Sequence, residues 1–276
     1  MTFDPDALGT FGYLPDPPKK AGERSDFDFN TKLMGKLVRV YPGDVDLSEH
    51  TSDTNQYGAS SCAGNATADS VEILNSIEGK PKVQLSRLFP YTLARNFMDL
   101  DGDGRSDIDK DEGSYIRLNF EVLSKFGICR EDLTSSKGGW PYDLSKVKTL
   151  PSLRAMRSAT GHRIHSYYRI VEDGETRTEL ILEALRANHP VVFGTQITRA
   201  FTRMRDAGPV GSPDGVATIG GHAMIVVGYV TGKGFLIKNS WGPGWGEDGF
   251  CFMTPEYLAW SGTTDIWVPT RGTMFK

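Results

Sequence analysis

Residues 220–229 read GGHAMIVVGY. The apolar run from Met224 to Val230 predicts a buried strand, and His222 stands at its head. Gly220 and Gly221 just before it leave room for another backbone or a substrate to come close. The following stretch, FLIKNSWGPGWGEDGF at 235–250, predicts a second strand over Phe235–Lys238 that ends at Asn239. An amide at that place can orient an imidazole through a hydrogen bond. Trp241 and Trp245 can cover that bond and keep water away.

Far upstream, residues 56–66 read QYGASSCAGNA. Ser60 and Ser61 precede Cys62, and apolar Ala63, Ala66, Val71, Leu74 and Ile77 recur at helical spacings. Gly79 and Pro81 follow. Serine caps, a helical period and then Gly and Pro predict a helix whose N-terminus is Cys62. A cysteine there faces unsatisfied N–H groups and the positive end of the helix dipole, which favour a thiolate. A nucleophile also needs a base, and His222 is the histidine whose surroundings suit one. Gln56 can donate to an oxyanion together with the Cys62 backbone N–H.

These three blocks, in this order, resemble the papain-like cysteine peptidases. QYGASSCAGNA resembles that family's Gln-x5-Cys block, GGHAMIVVGY its Gly-His-Ala strand, and NSWGPGWGEDGF its Asn-Ser-Trp-Gly block. VDLS from Val45 is similar to the start of the mature domain. GSYIRLNFEVLSKFGIC and the WPY at Trp140–Tyr142 are similar to the bacterial branch, so a bacterial or phage origin is expected. The likeness spans roughly Val45 to Pro255. It implies an α+β fold of two subdomains, a helical left lobe and a β-barrel-like right lobe, with the site in the cleft between them. It implies Cys62 as nucleophile, His222 as base and acid, Asn239 as orienting amide and Gln56 as oxyanion donor, with Trp241 and Gly221 in support. It also implies a Cys62 thiol titrating well below an ordinary cysteine. The partner so implied is a polypeptide substrate, and the chemistry requires no cofactor. Two departures stand out: Ala63 follows the nucleophile where the family often has an aromatic residue, and Ala59 replaces the usual cysteine three before it, so that disulfide is absent. Two alternatives share the fold: acyl transfer to an amine by the same site, and a catalytically idle assembly or adaptor component within a larger assembly.

Composition narrows the rest. The 276 residues carry 31 Lys and Arg against 35 Asp and Glu, a net charge of −4. No basic face suggests nucleic acid as a partner, and no apolar run approaches the length of a membrane span. The 3 cysteines, Cys62, Cys129 and Cys251, form no CxxC pair, which argues against a zinc site or a disulfide framework. The N-terminal residues MTFDPDALGT lack a basic start and an apolar run, so no secretory signal is expected, and the chain is either cytoplasmic or exported by a non-classical route.

Along the chain, residues 1–44 predict an arm, extended through Pro15, Pro17 and Pro18. It suits a groove, and the expectation is that it partly covers the cleft. Residues 45–150 read as mainly helical, with a further helix over Ser114–Phe126. Residues 151–276 carry a helix over Thr178–Asn188 and strands over Arg163–Val171, Val191–Ile197 and Gly249–Met253, hence a mainly β subdomain. An acidic insertion, 99–112, opens with DLDGDGRSD. Asp99, Asp101, Asp103 and Asp107 fall at positions 1, 3, 5 and 9 of a calcium loop, with Gly104 at its turn and the Arg105 carbonyl at position 7. Lys110 stands where a full EF-hand has Glu, so the segment is more similar to the nine-residue calcium loops of integrin-type repeats. A structural Ca2+ is the expected ligand.

Overall fold

A computed structural model describes residues 11–19, 27–28 and 43–270. The remaining parts of the expected arm, 1–10, 20–26 and 29–42, lie outside them.

In chain order come the short strands β1 (Tyr13–Leu14), β2 (Phe27–Asp28) and β3 (Val45–Asp46), then helix α1 (Cys62–Ile77) and helix α2 (Leu88–Asn96). Strand β4 (Ser114–Tyr115) leads into α3 (Ile116–Lys125), followed by the short α4 (Leu153–Ser158). The second half alternates: β5 (Ser166–Ile170), α5 (Gly174–Arg186), β6 (Val191–Ile197), α6 (Arg199–Thr202), β7 (Gly220–Val230), β8 (Gly234–Lys238), β9 (Phe250–Met253), α7 (Pro255–Ala259) and β10 (Thr263–Thr270).

Helix α1 begins at Cys62, as the serines and apolar spacing predict, and is buried from Cys62 to Asn75. It packs against β7, the strand that carries His222, so the two blocks distant in sequence meet along one helix and one strand. A buried ion pair ties α1 to β8, the strand paired with β7: the Lys238 ammonium at the end of β8 lies 2.5 Å from Asp69 Oδ2 on α1 and donates to Thr54 Oγ1 at 2.6 Å. The elements not foreseen include one longer helix and one long strand. Helix α2 contains Pro90, which is tolerated because its missing N–H falls in the first turn. Strand β10 starts with the polar run TTD and ends beside Pro269, yet it pairs with both β5 and β6. The expected helix over Ser114–Phe126 starts two residues later, because Ser114 and Tyr115 are extended to pair with β1 of the arm.

Among the described residues the β lobe does not close into a barrel. The strands make an open sheet in the order β2-β5-β10-β6-β7-β8-β9, with β3 beside β7, and no closed barrel exists among the described residues. The outer edge of β9 is taken by a loop: Phe252 N–H donates to Ala207 O at 2.6 Å, and Val210 N–H to Phe252 O at 2.8 Å. That loop stands where a closing strand would have to pair. The α+β class itself holds.

Candidate active site

Cys62 is the first residue of α1 and has no exposed surface. The Ala223 N–H, from the residue after His222 on β7, points at its Sγ from 3.4 Å. His222 sits inside β7 opposite Thr195 of β6, and is equally buried. Its Nε2 lies 2.8 Å from Asn239 Oδ1. That oxygen also accepts the Ser240 N–H at 2.7 Å, which identifies it as the amide's acceptor atom. Nε2 therefore carries the proton, and Nδ1 is left as the basic nitrogen. The Trp241 indole stacks on the imidazole with centroids 4.4 Å apart, and Trp245 meets Trp241 edge-on at 5.4 Å. The geometry thus gathers Cys62, His222, Asn239 and Trp241.

Gln56 is also drawn in, through a loop braced from two sides. Its N–H donates to Ser240 O at 2.8 Å, and Ser240 Oγ donates to its side-chain oxygen at 2.7 Å. Gln56 Nε2 donates to Ala59 O at 2.8 Å, which leaves its second N–H for another acceptor. Tyr142, within the quoted WPY block but given no role there, donates from its hydroxyl to Gln56 O at 2.9 Å and lies 2.7 Å from Ser61 Oγ. The Arg87 guanidinium covers the Tyr142 ring and pairs with buried Glu131. Only a tertiary contact reveals these supports.

The arm runs through the site. Cys62 Sγ donates to the Phe11 carbonyl oxygen at 2.7 Å. Gly12 has φ +81°, and its carbonyl accepts the Ser114 N–H at 3.0 Å. Gly220 and Gly221 receive this backbone: a Cβ on Gly221 would stand 2.8 Å from Tyr13 O, and one on Gly220 would stand 2.6 Å from the Phe11 ring. The arm thereby closes over Cys62 and His222, neither of which has exposed surface.

That seal reverses the expected titration. Burial pushes the Cys62 thiol up to about 12, with backbone N–H groups of Ala223, Ala63 and Cys62 pulling the other way. Burial likewise lowers His222 to about 4, opposed by the bond to Asn239 and by the nearby Phe11 carbonyl, which favour the protonated ring. With the arm in place the pair is a neutral thiol and a neutral imidazole, not the thiolate the helix N-terminus suggested. Desolvation outweighs the dipole here because no water reaches either group.

The acidic loop lies on the surface. Asp99, Asp101 and Asp103 bring carboxylate oxygens within 4.8 Å of one another and are the residues that could hold a hard cation. Asp107 does not join them: it is buried, accepts the Leu100 N–H at 2.7 Å and pairs with Lys110, which also reaches Asp101. The ammonium occupies part of the place the spacing offered to a metal. Cys62, Cys129 and Cys251 are all free and buried. No helix among the described residues is long and apolar enough to cross a membrane.

The sequence profile of the papain family cysteine proteases matches residues 41–264. The chain belongs to that family and is a cysteine peptidase by descent. Xylellain, a cysteine protease from Xylella fastidiosa, superposes with TM-score 0.75 at 26% identity, over 95% of this chain and 96% of that one. A peptidase C1-like protein of Acanthamoeba polyphaga mimivirus is 29% identical over 94% of this chain and 86% of its own length. Chymopapain of Carica papaya is 26% identical over 86% of this chain and 62% of its own.

Proposed function

We propose that the chain hydrolyses internal peptide bonds of polypeptides through an acyl-enzyme on Cys62, and that residues 11–13 keep it latent. The observation that carries this reading is the Sγ at the start of α1, 3.4 Å from the N–H of the residue that follows His222, with His222 Nε2 tied to Asn239. Once the arm leaves, water enters, and the thiol proton can pass to His222 Nδ1. The sulfur then attacks the carbonyl carbon, a C–S bond forms, and the carbonyl electrons move to oxygen. The Cys62 N–H and the second N–H of Gln56 hold that oxyanion. Collapse expels the amine, which takes its proton from His222. Water, deprotonated by His222, attacks the acyl carbon, and sulfur departs.

Labelling by an epoxysuccinyl cysteine-protease inhibitor, read by intact mass and peptide mapping, tests this. The full chain, a chain lacking residues 1–40 and His222→Ala are compared. Labelling at Cys62 alone, faster without the arm and dependent on His222, is the expected result. No labelling in any form would leave the idle adaptor as the better reading. Adding amine nucleophiles and finding transfer products would favour acyl transfer over hydrolysis.

For the acidic loop the proposal is a structural Ca2+ on Asp99, Asp101 and Asp103, outside the chemistry. Such an exposed, open site would bind at about 10⁻⁴–10⁻³ M. Calorimetry showing no heat at millimolar Ca2+ would discard it.

A further inference from the structure

Tyr13 reaches into the body of the protein two residues from the Phe11 carbonyl. Its side chain is buried, with the ring close to glycines of two strands. A Cβ on Gly194 of β6 would overlap the ring, and one on Gly221 of β7 would stand 2.8 Å from its Cδ1. Gly194 pairs with Ala223 across the two strands, the position next to the Thr195–His222 pair. The slot is therefore adjacent to the histidine, and it exists only because both positions lack a side chain.

At the far end of the slot the phenol hydroxyl donates to Asp265 Oδ2 at 2.5 Å and lies 2.5 Å from Thr264 Oγ1. Asp265 holds a left-handed backbone, φ +51°, within the irregularity that interrupts the β10–β6 pairing between Thr264 and Trp267. That strain is the kind kept where a side chain must point in a set direction. Its other carboxylate oxygen faces Arg169 at 2.5 Å. The Asp16 N–H also donates to Oδ2, at 2.7 Å. Burial and the Asp265 charge both push the Tyr13 phenol up, so it stays a proton donor.

The walls of the slot belong to β6, β7 and β10, and only its contents belong to the arm. When the arm leaves, Asp265 Oδ2 loses two donors at once. Arg169 still holds the other oxygen and water can then reach Oδ2, so an incoming side chain that displaces that water and restores a donor gains a charge-assisted hydrogen bond. Arg169 already offsets the charge, which reduces the gain from a cation. The two glycines leave space for a flat ring.

We propose that Gly194, Gly221, Thr264 and Asp265 form a tyrosine-selective subsite, so that the substrates are polypeptides bearing a tyrosine in the place Tyr13 now fills. This rests on the peptidase reading above. A phenol that meets Asp265 gains a charge-assisted hydrogen bond that phenylalanine cannot make, which predicts a preference of about 10- to 100-fold.

The test uses the full chain with Tyr13→Ala, which empties the slot without touching its walls. The synthetic peptide GTFGYLPDPPK, residues 9–19, and the same peptide with Tyr13→Phe are compared as protectors of Cys62 against iodoacetamide. In parallel, hydrolysis is followed on matched peptides that differ only by Tyr, Phe or Leu, walked across the positions flanking the cleaved bond. The expected result is protection by the tyrosine peptide at about 10- to 100-fold lower concentration, with the same order in hydrolysis. Asp265→Asn should remove the Tyr-over-Phe difference. Because that change also unpairs Arg169, Gly194→Ala is the second variant, and it should weaken Tyr and Phe peptides alike. Equal protection by the two peptides, or a Gly194→Ala chain that behaves as its parent, would overturn the proposal. Selective protection without any hydrolysis would uphold the subsite and remove the peptidase reading. Hydrolysis without tyrosine preference would do the reverse.

Discussion

Adding one methyl group to Gly12 should open the site. Gly12 holds φ +81°, a region where an L-residue with a Cβ costs about 1–2 kcal/mol. The new Cβ would also overlap Ser60 O, a backbone atom that cannot rotate aside, two residues before α1 begins. The dihedral cost alone multiplies the population of the undocked arm by about 5- to 30-fold, and the overlap adds to it. None of the arm's side-chain contacts is removed, so the effect isolates the backbone fit. The assay is the rate of Cys62 alkylation by iodoacetamide in Gly12→Ala and parent, followed by intact mass and peptide mapping. Cys129 and Cys251 are buried away from the arm and serve as internal references. Their rates should stay fixed while that of Cys62 rises by at least about 5-fold. An unchanged Cys62 rate would show that the arm does not gate the thiol, and the latency argument would fall.

Three other perturbations separate the parts of the site. Gln56→Ala should lower kcat by about 10²–10³-fold with little change in Cys62 alkylation, because it removes an oxyanion donor and leaves the thiol in place; equal kcat would remove Gln56 from the chemistry. Asp16 is buried on docking beside Asp265, and desolvation and that charge push it up to about 7, against the N–H groups of Trp267 and Arg117. A carboxyl raised in the docked state favours docking while protonated, so docking is strongest at acid pH and weakens as pH climbs towards about 7. The ratio of Cys62 alkylation rates, parent over Asp16→Asn, should rise across that interval, and a flat ratio would contradict the sign. Lys238→Met leaves Asp69 buried without the ammonium paired to it, at a cost of about 3–5 kcal/mol. Thermal unfolding should fall by about 6–20 °C and recover when Asp69→Leu is added; no shift would mean the pair contributes little.

What could be foreseen divides along sequence distance. Helix α1 was legible end to end because Ser60, Ser61, Gly79 and Pro81 bracket an apolar period. Strand β6 was legible because VVFGTQI follows a proline and is bounded by polar residues. Cys62, His222 and Asn239 each sit in a short block whose local structure positions them, so a reading in one dimension finds them. Tyr13 and Asp265 are 252 residues apart, and no periodicity joins them. Tyr142 under Gln56 and Lys238 on Asp69 are of the same kind. That the β lobe stays open was not legible, because a loop, not a strand, covers the edge of β9. The thiol's titration was misjudged because the helix N-terminus is a local feature, whereas desolvation comes from residue 11.

The direction of the Phe11 carbonyl decides whether the arm is prey or guard. Hydrolysis needs sulfur to reach a carbonyl carbon while the oxygen swings towards the donors at Cys62 and Gln56. Here the oxygen faces the sulfur and takes the thiol's own hydrogen bond. The peptide bond nearest the blade thus presents its wrong atom, and the same contact removes the charge that would make the blade sharp. An arm so placed can rest on the nucleophile without being consumed by it. If the arm keeps the site latent, its removal falls to events elsewhere along the chain or to another molecule, and activity begins with that encounter, not with the end of synthesis.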